Sequence, residues 1–243
     1  MGTQQILWLL LSGISLGVGL ALIADHGADT RFGWLYMLYH LILCALLVWG
    51  GFFSSTCHAQ VPSAAVQYRA DLIRNSRAIW GLDAPVSTFA AQIHQESGWR
   101  PNARSPVGAL GLTQFMPATA SWIAGLYPQS VGVAQPFNPS WSMRALVQYD
   151  RWLYDRIRAA DACERLAYAL SAYNGGLGWV NRDKKKASSK GLDSLTWFGS
   201  VELVNDGRST ANWNENRQYP QRILHKYEPL YVAARWGAGA CHG

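Results

Sequence analysis

Charge is thin in this sequence. Only 15% of its 243 residues are Asp, Glu, Lys or Arg, and from Ser97 through Tyr149 there is no acid at all. Any chemistry needing two carboxylates side by side must therefore draw the second from far along the chain. The six histidines show no His-x-x-x-His spacing, so a metal site of that kind is excluded. Ser97 has no His and Asp arranged around it, which removes the nucleophilic serine reading. No internal repeat, low-complexity tract or sustained period-two alternation is present, and the last of these absences argues against a sheet protein.

What is present divides at residue 59. Residues 6–24 carry no charge, and in residues 34–53 the titratable side chains are His40, Cys44 and two tyrosines. Each run is long enough to span a bilayer. The link between them holds Asp25, Asp29 and Arg31, and placing it in the cytoplasm satisfies the positive-inside bias. A second reading starts translation at Met37, treats 38–53 as the apolar core of a signal sequence and cleaves after Cys57-His58-Ala59. Both readings export residues 60–243, one tethered to the inner membrane and facing the periplasm, the other free in the periplasm.

The exported part carries 20 Lys and Arg against 13 Asp and Glu, a balance of +7 that suits polyanionic surroundings. Lys184 to Lys186 is too short a run to choose among nucleic acid, anionic lipid and acidic envelope polymers. Twelve tryptophans and eleven tyrosines suit either a sugar-binding groove or a packed core. Only Cys163 and Cys241 lie in this part. In an oxidising compartment they are expected to form a disulfide that ties the C-terminal tail to a central helix; the alternative is two separate thiols.

Helical periodicity predicts helices over 66–80, 85–97, 117–126, 139–160, 164–173 and 218–235. Pro85, Pro117 and Pro139 stand where helices begin, and Gly98, Gly125 and Gly175 where they end. Residues 102–113 are expected to hold a small hairpin. Residues 176–213 read as a long polar connection with a short helix around 192–205. The fold class is mainly α.

Chemistry concentrates at Glu96. Val86, Phe89, Ile93 and Glu96 are spaced three, four and three, so the acid continues the stripe that faces the core. It also sits in a last helical turn, where unpaired carbonyls oppose a second negative charge. Desolvation and dipole both favour the protonated form, which is what a general acid for glycoside cleavage requires.

Downstream stand Ser105-Pro-Val-Gly-Ala-Leu, Gly111-Leu-Thr-Gln-Phe-Met-Pro117, Ala172-Tyr-Asn-Gly-Gly176 and Glu215-Asn-Arg-Gln-Tyr219. With Glu96-Ser97 these segments, in this order, resemble the soluble lytic transglycosylases, the goose-lysozyme-like glycosidases of bacteria. The resemblance runs from about 87 to 231. Two positions depart from the family pattern: Thr113 stands for the usual Met and Gly175 for an Ala.

The resemblance implies a lysozyme-like helical domain at 60–243 behind one or two hydrophobic N-terminal helices, with peptidoglycan glycan strands as partner and no nucleic acid. It implies Glu96 as catalytic acid and base, with Ser97, Ser105, Gln114, Met116, Tyr173 and Asn174 on the sugar and Glu215 and Tyr219 on the far wall. No metal or organic cofactor is implied. Because the segment after Glu96 offers no second acid, a single-carboxylate route to a 1,6-anhydro product fits better than the two-carboxylate hydrolysis of most glycosidases. Two other readings stand beside it: a goose-type lysozyme using Glu215 or a distant Asp, and a catalytically silent glycan-binding scaffold. A membrane anchor would suit local wall opening, for instance beside an envelope-spanning conjugation or secretion complex or in a phage function.

Overall fold

Proline, glycine and short polar side chains set the helix boundaries. In the computed structural model, which describes residues 38–43, 45 and 60–242, contacts divide the chain into two units, Met1–Ala59 and Gln60–Gly243. Residues 38–43 and 45 of the first unit are helical. Among the described residues no helix is long and apolar enough to cross a membrane. The expected spans at 6–24 and 34–53 lie otherwise outside the described residues, as do Cys44 and the proposed cleavage site.

The second unit is built from α1 (Ser63–Val66), α2 (Arg69–Trp80), α3 (Val86–Ser97), α4 (Pro117–Leu126), α5 (Pro139–Asp155), α6 (Ala162–Gly175), α7 (Leu177–Ser189), α8 (Thr210–Gln221) and α9 (Glu228–Ala233). The side chains of Asn138, Asp161 and Ser209 each accept the backbone N–H three residues on, starting α5, α6 and α8. Gly98 ends α3 in the left-handed conformation, φ 59°, its N–H donating to the His94 carbonyl.

Helix α3 runs through the middle. Every residue from Val86 to Ile93 is buried, so the helix is enclosed on all sides rather than amphipathic. It packs against α2, α9 and the segment between α8 and α9. That segment, Arg222–Tyr227, winds as a π-helix just after Pro220, which cannot supply the N–H of its turn. The C-terminal tail closes over the same region: buried Glu228 accepts the N–H groups of Ala240, Cys241 and His242 and the Thr88 hydroxyl. A Cys163–Cys241 disulfide joins this tail to the first turn of α6.

Several boundaries differ from those expected. Helix α5 stops at Asp155, five residues early, because arginines take its final carbonyls: Arg156 bonds to Trp152 O at 3.0 Å and Arg165 to Tyr154 O at 2.8 Å. The supposed polar connection contains α7, whose buried stripe of Val180, Asp183 and Ala187 includes an acid and so hid its period. Asp183 is held by Arg208 at 3.1 Å and Arg217 at 2.8 Å. The short helix around 192–205 shrinks to a 3-10 turn, Val201–Leu203, and the last helical stretch begins at Thr210 rather than 218.

In place of a hairpin, two isolated antiparallel bridges, Arg104 with Leu110 and Leu110 with Phe115, fold residues 104–115 into a tight double turn. There is no strand among the described residues. Gly111 fixes the turn: its φ is 76°, and a Cβ there would stand 1.8 Å from the Pro136 carbonyl oxygen.

Candidate active site

A cavity of about 410 Å³ opens over the C-terminal end of α3, walled by the 104–116 loop, α5, α6 and α8. Glu96 lies on its floor. The stripe that carries it is buried as the spacing requires, with Val86, Phe89 and Ile93 at most 2% exposed, and Glu96 as a whole residue is half-buried.

The Tyr219 phenol donates a hydrogen bond to Glu96 Oε1. Tyr219 is buried, and its ring lies parallel to that of Tyr173, the centroids 6.5 Å apart. Tyr173 in turn donates to the Thr113 carbonyl at 2.8 Å. Two helices and the loop thus meet around one carboxyl.

Burial pushes the Glu96 carboxyl up to about 8; the Tyr219 hydrogen bond works against this rise and the negative charge of Glu215 adds to it. The acid is therefore proton-loaded at neutral pH, yet has a donor in place to receive its negative form. That pair of properties is what a group acting first as acid and then as base needs.

Of the residues singled out in the sequence, Glu96, Ser105, Gln114, Met116, Tyr173, Asn174, Glu215 and Tyr219 all line this cavity. Ser105 Oγ accepts the Ala109 N–H at 2.9 Å, closing one turn of the loop. Gln114 holds a left-handed backbone, φ 48°, and its Nε2 donates to Gly111 O at 2.8 Å. Met116 is 43% exposed at the rim, an apolar face offered to solvent. Asn174 is clamped between Asn216 Nδ2 at 3.0 Å and Glu215 Oε1 at 3.4 Å. Glu215 is exposed.

Two expectations need correction. Ser97 does not reach the cavity: it is buried, and its hydroxyl turns back toward the Ile93 carbonyl. A residue one step past Glu96 points about 100° round the helix. Tyr219 is not on a far wall but touches the acid itself. Sequence reasoning also passed over Tyr149, which lines the cavity, and Asp150 beside it, which is fully buried. Met143, Leu146, Asp150 and Leu153 repeat the three, four, three spacing of the Glu96 stripe, and that was the available signal.

Among the described residues no group of three or more His, Cys, Asp and Glu side chains could hold a metal ion.

Comparison with known proteins agrees with this geometry. Residues 75–195 match the family model of the transglycosylase SLT domain. The chain is 32% identical over 140 residues to membrane-bound lytic murein transglycosylase F of Shewanella pealeana, covering 57% of this chain and 26% of that protein. It is 34% identical over 152 residues to the protein of the same name in Vibrio cholerae, covering 58% and 27%. It thus spans about a quarter of the length of these relatives.

In fold it is similar to the 70 kDa soluble lytic transglycosylase of Escherichia coli, with a TM-score of 0.51, 22% identity and coverage of 72% of this chain and 25% of that one. It is similar too to the lytic transglycosylase Slt of Pseudomonas aeruginosa, with a TM-score of 0.54, 20% identity and coverage of 93% and 33%. The mainly helical domain with Glu96 at its cavity floor belongs to the transglycosylase SLT family.

Proposed function

We propose that this protein is a peptidoglycan lytic transglycosylase, cleaving the β-1,4 bond between N-acetylmuramic acid and N-acetylglucosamine and leaving a 1,6-anhydromuramyl end. The observation that carries this reading is the Glu96 carboxyl, proton-loaded and bonded by Tyr219 on the floor of a polar cavity.

In the reaction, Glu96 gives its proton to the glycosidic oxygen as the bond to the muramyl C1 breaks. The neighbouring N-acetyl group stabilises the positive charge. Glu96, now a carboxylate held by the Tyr219 phenol, takes the proton of the muramyl C6 hydroxyl, whose oxygen closes on C1. No water is consumed and Glu96 ends as it began. Ser105, Gln114, Met116, Tyr173 and Asn174 would position the two sugars, with Glu215 at the rim.

The names of the relatives, which describe membrane-bound murein transglycosylases, support action on the wall in the periplasm. An inner-membrane tether at residues 1–59, or release after cleavage, and work beside an envelope-spanning conjugation or secretion complex are parts of the same proposal. The experiment is release of soluble fragments from purified sacculi. Glu96→Gln is expected to abolish release while sedimenting with sacculi as the wild type does; retained release by that variant would reject the reading.

A further inference from the structure

Beneath the cavity lies a second carboxyl that the reaction above does not use. Asp150, on α5, has no exposed surface, and its Oδ1 accepts Gln92 Nε2 at 3.4 Å. Its other oxygen, Oδ2, has no hydrogen-bond partner, and neither does Gln92 Oε1. Gln92 is also fully buried and lies on α3 one turn before Glu96. Two buried acceptors left over on two side chains already joined by one hydrogen bond form a specific defect, since each has lost its water with no donor in exchange.

A single proton cures both. An ionised carboxylate only accepts, whereas a protonated one has an O–H to give. We propose that Asp150 is protonated in the working enzyme and forms with Gln92 a closed acid–amide pair, Oδ2–H to Oε1 and Nε2–H to Oδ1, that pins the turn before Glu96 to α5. Asp150 is then a positioning residue, acting through Gln92 on the helix that ends in Glu96.

The surroundings agree. The groups that interact electrostatically with Asp150 are Glu96 on α3, Tyr149 on its own helix, Tyr173 on α6 and Tyr219 on α8; none is a cation. Helix α4 has no ionisable side chain. On α2, Arg69, Arg74 and Arg77 are exposed, and Asp71 is half-buried and paired with Arg74. On α6, Glu164 and Arg165 are engaged at the opposite end, with Trp197 N–H and Tyr154 O. Burial, and secondarily the charge of Glu96, push Asp150 well above the carboxylate range, against the Gln92 hydrogen bond.

This inference rests on the reading of Glu96 as the lone working carboxyl, and it adds a physical reason to that reading: the carboxyl buried on α5 is withheld from ionisation. The test uses the full chain, with infrared spectra at neutral pH of protein carrying 13C-labelled Asp. Expected is a carbonyl band of a protonated Asp that persists in Glu96→Gln and vanishes in Asp150→Asn.

The pH profile of sacculus digestion supplies the second readout. Asn keeps a neutral pair with Gln92, so the alkaline limb of Asp150→Asn should stay within about half a unit of wild type. Removing a real negative charge would instead lower that limb by about a unit or more. Asp150→Leu, which leaves Gln92 without a partner, should lose turnover that the Asn variant keeps. Absence of the band, or a lowered limb in the Asn variant, overturns the proposal. A wild type that yields only reducing sugar ends while keeping the band would instead overturn the transglycosylase reading and leave Asp150 protonated.

Discussion

Replacing Glu96 by Gln should stabilise the protein above neutral pH, and the size of that gain measures the hold of the fold on the Glu96 proton without any substrate. Folding raises the Glu96 carboxyl from 4.5 to about 8. Between those two values the native state holds a proton that the unfolded chain has lost, so stability falls as pH rises. The favourable contribution of the protonated group is fully present below pH 4.5 and gone above about pH 8. Taken at face value the rise is worth about 5 kcal/mol. Because Glu96 keeps part of its surface exposed, solvent screening reduces this to about 2–3 kcal/mol. Gln cannot ionise and can still accept the Tyr219 hydroxyl.

The Glu96→Gln and wild-type unfolding curves in urea should therefore converge near about pH 4. At about pH 9 the variant should be the more stable by that margin. A difference that is flat across the range would refute the claim that burial holds the proton on Glu96.

Two further outcomes follow from the same geometry. Tyr219→Phe removes the donor that favours the ionised acid, so the alkaline limb of activity should move up while kcat falls about tenfold to a hundredfold, the worth of a hydrogen bond to a charged group; sacculus digestion across pH reads both. Gly111→Ala forces a left-handed alanine into the Pro136 carbonyl and should cost about 3 kcal/mol or more in thermal unfolding, together with most of the activity carried by the 104–116 loop.

The helices around the acid were legible because apolar spacing and proline and glycine punctuation agree there. The stripe Val86, Phe89, Ile93 is interrupted by nothing polar, and its continuation points Glu96 inward. Helix α7 was not legible, since its inner stripe is completed by Asp183, and only the distant Arg208 and Arg217 make that acid tolerable. Asp150 escaped for the same reason: a buried acid reads as polar until its partner, Gln92 on another helix, is seen.

Motif adjacency failed at Ser97, where neighbouring in sequence meant turning away in space. It understated Tyr219, whose contact with Glu96 spans 123 residues of chain. The pairing of helices around the cavity is a long-range property that no local pattern contains.

In the proposed reaction one carboxyl serves both halves and no water enters the product. The decisive measurement is mass analysis of muropeptides released by the protein in 18O-labelled water. The expected product is 1,6-anhydromuramyl ends free of label; muramyl ends that are reducing and carry 18O would overturn the single-carboxyl route.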